Sequence, residues 1–160
     1  MQNVMDLVRE DVRESVKKAV YSLRARDEIN LDEINEVPLE IPKDSSFGDF
    51  ATTLALQLAK SVKQNPRALA ENLVNEIMSS HESKYIESAS VAGPGFINFK
   101  LSNRWLVQTI EMARQFKGNY GTTDFGKGQK VLVEFVSANP TGPLNVVNAR
   151  AAAVGDTLVR

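Results

Sequence analysis

The chain has 160 residues, a length that suffices for one hydrophobic core, or for a small domain together with part of another. It contains no cysteine and one histidine, which excludes disulfides, thiolate metal sites and multi-histidine metal sites within the chain. Its formal net charge of −1 means that any contact with nucleic acid must come from local patches or from base stacking. No apolar run approaches the ~18 residues that span a membrane, so we expect a cytoplasmic protein that does not associate with membranes.

The amino-terminal part of the chain predicts a helix, a short strand and a second helix. Apolar residues recur at three- and four-residue steps over roughly residues 2–27, which predicts an amphipathic helix. The alternating segment EVPLEIP at 36–42 is bounded by prolines and favours a short edge strand. The next segment, SSFGDFATTLALQLAKSVK, predicts a helix that ends near Lys63 and is capped by Asp49 or Ser46.

The following residues predict a helix, a hairpin and a further helix. Asn65 is suited to cap a helix whose first position is Pro66. The segment YIESASVAGPGFINFKLS predicts two strands that are joined at residues 93–95. A last helix is expected from about Asn103 to Phe116. Together these elements predict an α+β domain over residues 1–118, in which helices cover a small, mainly antiparallel sheet.

A change of organisation is predicted after residue 118. Residues 119–129 contain three glycines and predict a linker. The apolar run KVLVEFV that follows is typical of a buried strand, and a helix is expected from about Val146. One strand and one helix cannot bury a parallel sheet alone, so we expect residues 130–160 to be the truncated start of a second domain.

The polar loop between that strand and helix lies where open α/β folds bind their ligands. Pro140 and Pro143 stiffen the loop, and Gly142 lets the backbone approach a ligand closely. Asn145 is suited to cap the helix, whose amino end favours a phosphate group. The residues alone leave open the alternative of an ordinary helix cap that follows a proline-fixed turn.

Two parts of the chain resemble one enzyme family. The segment VEFVSANPTGPLNVVNARAAAVGD closely resembles the signature region of arginyl-tRNA synthetases, class I enzymes whose Rossmann domain carries a His-x-Gly-His motif. The segments FGDFATTLALQLAK and VAGPGFINFKLS resemble the amino-terminal additional domain of that family. The resemblance implies an additional domain at 1–118, followed at 130–160 by the first β-α step of a Rossmann-like catalytic domain.

The chain departs from the family pattern at the signature motif. The sequence Asn-Val-Val-Asn at 145–148 stands where the family usually has His-x-Gly-His. An asparagine amide is also a hydrogen-bond donor, but it cannot become cationic. We expect a working variant in which the asparagines donate to phosphate, and impaired adenylation is the alternative. The resemblance implies that ATP is bound by Pro140, Thr141, Gly142, Asn145 and Asn148.

Recognition of an arginine substrate is suggested by the residue types at the end of the predicted strand and the start of the loop. A guanidinium group is best bound by a carboxylate, with neutral acceptors completing its donors. Glu134 supplies the carboxylate, and Ser137 and Asn139 supply acceptors. In the resembled family the matching residues contact arginine, which implies that role here. The alternative is a salt-bridged strand residue and ordinary turn formers.

A second candidate site lies on the predicted strand after Gly95. Phe96 and Asn98 alternate to one face of that strand, while Phe99 should face the core. An aromatic platform beside an amide commonly reads an unpaired RNA base. The resemblance implies contact of both residues with the D-loop of tRNA. A core phenylalanine is the alternative for Phe96.

The resemblance implies an amino-terminal fragment of an arginine–tRNA ligase, an enzyme that activates arginine with ATP and transfers it to its tRNA. The expected partners are the tRNA for arginine, arginine and ATP accompanied by Mg²⁺, with no metal site and no tightly bound cofactor. We expect a monomer, and we expect the 160-residue chain alone to be inactive. One alternative is a freestanding RNA-binding module without catalysis. Another is a different adenylate-forming nucleotidyl transferase, against which the set Glu134, Ser137 and Asn139 argues.

Overall fold

The computed structural model describes residues 3–31, 33–139 and 141–159 of the chain. Contacts between residues divide the chain into two units, Met1–Thr122 and Thr123–Arg160. None of the helices within the described ranges has the length and apolar character that crossing a membrane requires.

The first unit combines four helices with a three-stranded sheet. The elements in chain order are α1 (Val4–Ala25), β1 (Phe50–Thr52), α2 (Leu54–Ala59), α3 (Pro66–Ser80), β2 (Ile86–Ala92), β3 (Phe96–Leu101) and α4 (Arg104–Phe116). The spatial order of the strands is β1-β3-β2, and both pairings are antiparallel. The prediction of helices on a small antiparallel sheet is therefore confirmed.

Helix α1 supplies one wall of the core. Its residues Val4, Val8, Val12 and Val16 are all buried, in agreement with the predicted apolar face. Burial of one such side chain stabilises the fold by about 1.5–3 kcal/mol relative to exposure. Among the side chains that complete the core from the other elements are Phe50, Leu54, Leu69, Leu73, Ile77, Ile97, Phe99 and Leu101.

Helix α3 begins as the sequence predicts. Asn65 Oδ1 accepts hydrogen bonds from the N–H groups of Arg67 at 2.9 Å and Ala68 at 3.2 Å, and Pro66 occupies the first helical position. The cap satisfies two donors that the helix itself cannot use. The helix ends at Ser80, and His81 follows in the left-handed conformation.

The prediction of a helix from Ser46 or Asp49 to Lys63 is wrong over its first part. Residues Phe50–Thr52 form β1 instead, and the helix covers only Leu54–Ala59. Asp49 caps no helix, because its N–H donates to the Phe99 carbonyl and its Oδ2 accepts from Leu101 N–H, both at 2.8 Å. Pairing with β3 and burial of Phe50 outweigh the local helix propensity here.

Two further strand predictions differ from the structure. The edge strand expected at 36–42 is reduced to a single bridge between Glu40 and Ala51. The strand expected at 130–136 is not formed in the described part of the second unit, where Val131 and Leu132 are 79% and 96% exposed. A strand needs hydrogen-bonding neighbours and a covered face, and the described residues of this unit contain no strand with which residues 130–136 could pair. The β-α step of a Rossmann-like domain therefore stays a prediction.

The helix of the second unit is formed as expected. Helix α5 spans Val146–Val159, beginning at the predicted residue. Before it, the N–H of Ala138 donates to the carbonyl of Val136 at 2.8 Å, which closes a three-residue turn around Ser137.

Candidate functional site

Strand β3 divides its side chains between the core and an open face of the sheet. Ile97 and Phe99 are fully buried in the core, so the core position expected for Phe99 is confirmed. Phe96 and Asn98 alternate to the other face, where Phe96 is 39% exposed and Asn98 is 8% exposed. Phe96 is therefore not a core phenylalanine.

The neighbouring strands complete this open face. Ser90 and Ala92 of β2 lie opposite Asn98 and Phe96, and Ser88 lies opposite Lys100. Residues directly opposite in antiparallel strands share a face, so these side chains lie beside those of β3. The result is a surface with an aromatic end near Phe96 and a polar end near Lys100.

A cavity of about 420 Å³ lies at the aromatic end. Phe96 and Phe47 both line it, together with Asn98 and the hairpin residue Pro94. A cavity with aromatic walls and an amide suits a nucleic-acid base, which can stack on a ring and hydrogen-bond at its edge. The sequence analysis missed Phe47, because its segment was read as the start of a helix.

The loop that carries Phe47 is held by short-range hydrogen bonds. Residues Ser45–Phe47 form a 3₁₀ turn, and Asp44 Oδ1 accepts from Ser46 N–H at 2.9 Å. This hydrogen bond from the backbone lowers the pKa of the Asp44 carboxyl below its ordinary value. Gly48 ends the turn at φ 96°, where a Cβ atom would lie 2.5 Å from the Phe99 carbonyl oxygen, so this turn requires a glycine.

The hairpin that carries Phe96 is fixed to helix α3. Arg67 Nη1 donates to the Gly93 carbonyl at 3.0 Å. A Cβ atom at Gly95, which has φ 144°, would lie 2.8 Å from the Pro66 carbonyl oxygen. The start of α3 therefore positions the turn immediately before Phe96.

In the second unit, two of the three predicted arginine-binding residues are in contact. The Ser137 hydroxyl donates to the Glu134 carboxylate, and both residues are exposed. Asn139 is also exposed, and among the described residues no hydrogen bond joins it to the other two. The structure thus brings a carboxylate and a hydroxyl together, and the Asn139 amide lies two residues after Ser137 without a hydrogen bond to either group among the described residues.

The two signature asparagines cap helix α5 reciprocally. Asn145 Oδ1 accepts from the N–H groups of Val147 at 3.0 Å and Asn148 at 3.1 Å, so its predicted role as a cap is confirmed. In return, Asn148 Oδ1 accepts from the Asn145 N–H at 3.0 Å. This is a capping box with asparagine at its third helical position. Among the described residues, neither side-chain NH₂ group has a partner, so both remain as donors at the helix start.

The other predicted ATP-binding residues precede this cap. Thr141 and Gly142 lie in the exposed turn before α5, and a Cβ atom at Gly142 would meet nothing within 4 Å. Pro140 lies outside the described residues. The geometry therefore offers an open approach to the amino end of α5.

Comparison with known proteins gives a consistent result. A family model described as the arginyl tRNA synthetase N terminal domain matches residues 6–101. An arginine–tRNA ligase of Acetivibrio thermocellus is 43% identical over 158 residues, which cover 99% of this chain and 28% of the relative. That of Shouchella clausii is 47% identical over 156 residues, which cover 98% of this chain and 27% of the relative. The chain thus spans just over a quarter of the length of these relatives.

A solved structure shows the same fold. The crystal structure of arginyl-tRNA synthetase from Plasmodium falciparum matches with a TM-score of 0.52 at 14% identity, covering 71% of this chain and 19% of that one. At this identity the likeness concerns the fold alone.

Proposed function

Because the chain belongs to the family of arginyl-tRNA synthetase N-terminal domains, we propose that it is the amino-terminal part of an arginine–tRNA ligase. The whole enzyme would couple arginine to ATP and transfer the arginyl group to its tRNA, as a monomer in the cytoplasm. The observation that carries the role of this part is the partly exposed ring of Phe96 beside the mostly buried side chain of Asn98 on the open sheet face.

The first unit would contact the D-loop of the tRNA. An unpaired base stacks on Phe96, and the amide of Asn98 bonds to the edge of that base. Stacking of this kind contributes about 1–3 kcal/mol per base. The net charge of −1 supports a contact of this type, since the chain has no overall basic field to attract the phosphate backbone.

Arginine would be recognised in the second unit. The Glu134 carboxylate receives the guanidinium group, because a planar carboxylate matches its paired donors. Ser137, which now donates to Glu134, turns to accept from the substrate or continues to orient the carboxylate. Asn139 adds a neutral acceptor. The proposal includes the completion of a Rossmann-like sheet by parts of the enzyme that are outside this chain.

ATP would lie at the start of helix α5. The NH₂ groups of Asn145 and Asn148 donate to its phosphates, and Thr141 and Gly142 form the turn beside it. Pro140 is included through the family pattern. Mg²⁺ accompanies ATP as part of the substrate. The arginine carboxylate attacks the α-phosphate in line and displaces pyrophosphate, which gives arginyl-adenylate. A hydroxyl of the terminal ribose of the tRNA then attacks the arginyl carbonyl, and AMP leaves. These steps depend on positioning and on stabilisation of developing charge.

A charging assay with labelled arginine, ATP and tRNA tests this proposal. It compares the full-length product of the gene, the same protein with Asn145→Ala/Asn148→Ala, and the 160-residue chain. We expect charging by the full-length protein, a sharp fall in the double variant and none by the 160-residue chain. No charging by the full-length protein would contradict the proposal.

One observation favours a second candidate function, RNA binding without catalysis. The first unit has a formed open face, whereas the strand expected at 130–136 is not formed in the described part of the second unit. Retention of tRNA binding through Phe96 by a full-length protein that cannot charge tRNA would favour this second function.

A further inference from the structure

A second cavity, of about 340 Å³, lies at the polar end of the open sheet face. We call it the hydroxyl cavity, because four serines line it together with Lys100 and Asp49. The serines are Ser45, Ser46, Ser88 and Ser90. Phe47 and Asn98 line both this cavity and the aromatic cavity beside Phe96. The two cavities are therefore neighbours on one surface.

Several polar groups of the hydroxyl cavity have no protein partner. Within the described ranges, the hydroxyl groups of Ser45, Ser88 and Ser90 make no hydrogen bond. The side chain of Asn98 likewise has no hydrogen-bond partner there, although it is only 8% exposed. The amide atoms of Asn98 are nevertheless not fully enclosed. Because Asn98 lines both cavities, this amide is available to a polar ligand there.

The charges of the cavity limit what that ligand is. Lys100 is exposed, and its Nζ lies 3.9 Å from the Glu87 carboxylate, a distance typical of a weak surface pair. The Asp49 carboxylate accepts from Leu101 N–H at 2.8 Å and adds a negative charge to the lining. A free anion would gain little here. A ligand matches the lining better if the part inside the cavity is neutral and rich in hydroxyls. Its phosphate would then lie at the edge, towards Lys100.

We propose that the hydroxyl cavity holds the ribose of the RNA nucleotide next to the one stacked on Phe96. Its 2′-hydroxyl bonds to Ser88 and Ser90, and its phosphate lies beside Lys100. The 2′-hydroxyl is the group by which a protein distinguishes RNA from DNA at a given site. The hydroxyl cavity thus gives the open face its selectivity for RNA. This inference rests on the proposed contact of the first unit with tRNA.

The test measures binding of the 160-residue chain to two probes. One is a transcript of arginine tRNA, and the other is the same tRNA with 2′-deoxynucleotides throughout its D-loop. We expect the chain to prefer the all-ribose tRNA about three- to tenfold, as the loss of one or two hydrogen bonds predicts. Ser88→Ala/Ser90→Ala should abolish this preference, so that the two tRNAs bind with about equal affinity. Both serines are exposed, so alanine leaves the fold intact.

Further variants, two of them controls, separate the role of the hydroxyl cavity from general effects of substitution on tRNA binding. Ser61→Ala/Ser79→Ala changes two exposed serines that line neither cavity and should keep the preference. Phe96→Ala should weaken binding of both tRNAs by the same factor. Lys100→Gln should reduce the slope of log affinity against log salt by about one, whereas Lys60→Gln, an exposed lysine outside both cavities, should leave it unchanged.

Three results of these binding measurements would overturn the inference. Equal binding of the two tRNAs by the unchanged chain, with weaker binding by Phe96→Ala, overturns the hydroxyl cavity and leaves the proposed function in place. A preference that survives Ser88→Ala/Ser90→Ala also overturns it. If the chain binds neither tRNA, both the inference and the tRNA contact of the first unit are wrong.

Discussion

The ring of Phe135 lies directly against the backbone of helix α5 at Gly155. A Cβ atom at Gly155 would be 2.1 Å from Phe135 Cγ and 2.6 Å from its Cβ, so only a glycine permits this contact. Gly155 is the buried residue of α5 in the described structure. The contact therefore links the segment that carries Glu134 and Ser137 to the helix that carries the signature asparagines.

Gly155→Ala should separate that segment from the helix. Alanine normally favours a helix by about 1 kcal/mol over glycine, but here its methyl group must displace the Phe135 ring. We expect faster amide hydrogen exchange in residues 134–138 of the variant. In the Phe135→Ala background the same substitution should instead slow exchange across α5. If Gly155→Ala changed hydrogen exchange equally with and without Phe135→Ala, the Phe135 ring would not constrain Gly155.

Gly48→Ala should destabilise the first unit. The residue has φ 96° and lies against the Phe99 carbonyl, so a side chain there is strained and sterically blocked. A loss of about 1–3 kcal/mol in the free energy of unfolding is expected for a residue in such a conformation. Urea denaturation measures it. Gly118→Ala is the matched control, since nothing lies within 4 Å of its Cβ position, and it should change stability by no more than about 0.5 kcal/mol.

Glu76 should make the stability of the first unit depend on pH. The hydroxyl of Ser22 and then the guanidinium of Arg26 hold the pKa of the Glu76 carboxyl below its ordinary value. A lowered folded-state pKa means that the stabilisation is present above the unfolded-state pKa and is lost as the pH falls through the folded-state pKa. Glu76→Gln should therefore lower the urea midpoint at pH 7 and have progressively less effect below about pH 4, near the unfolded-state pKa of a glutamate.

The matched control for Glu76 is Glu111→Gln, on the exposed surface of α4. Glu111→Gln should leave the urea midpoint unchanged over the whole range from pH 7 to pH 3. A constant difference between Glu76→Gln and the unchanged chain from pH 7 to pH 3 would contradict the ionic origin of the effect.

The signature asparagines can be tested with their acidic counterparts. Asn145→Asp/Asn148→Asp keeps the oxygen atoms that cap α5 and removes both NH₂ donors. Helix α5 should remain, as judged by hydrogen exchange. Adenylation by the full-length protein, measured as ATP–pyrophosphate exchange, should fall about 10²–10³-fold per lost donor. Asn145→Ala should in addition weaken the helix by about 1 kcal/mol through loss of its cap. Full activity of the acidic variant would exclude the asparagines as phosphate donors.

Phe96 and Phe99 provide a matched pair on one strand. Phe96→Ala should weaken tRNA binding by about 1–3 kcal/mol with little loss of stability, because the ring is partly exposed. Phe99→Ala should cost about 3–5 kcal/mol of stability, because that ring is fully buried. Filter binding and urea denaturation of both variants give the comparison. An unchanged tRNA affinity after Phe96→Ala would remove the basis of the proposed D-loop contact.

The sequence predicted those elements that local interactions specify. The cap at Asn65, the proline at position 66 and the apolar period of α1 each operate within a few residues, so their pattern was sufficient. Strand β1 could not be predicted, since three residues become a strand only through their bonds to β3. The strand expected at 130–136 has the opposite difficulty. Its composition suits burial in a sheet, but the described second unit contains no strand with which it could pair.

The candidate sites were predicted to a similar extent. The alternation of Phe96 and Asn98 followed from the strand period, and the cap at Asn145 followed from its place before the helix. The return bond from Asn148 was missed, although its three-residue spacing from Asn145 is that of a capping box. Phe47 carried no signal of its own, because the cavity that it lines is completed by residues of the hairpin and of β3, which are distant in sequence.

The exposed run of residues 131–135 has a consequence for handling the protein. Val131 and Leu132 are largely exposed, and the segment VLVEFV combines high β-propensity with a single charge. Unpaired segments of this kind serve as templates for pairing between separate molecules. In concentrated solution the 160-residue chain should therefore form intermolecular sheets through this run. The carboxylate of Glu134, which we assign to substrate recognition, then also acts as a gatekeeper charge that opposes aggregation, together with Lys130 at the edge of the run.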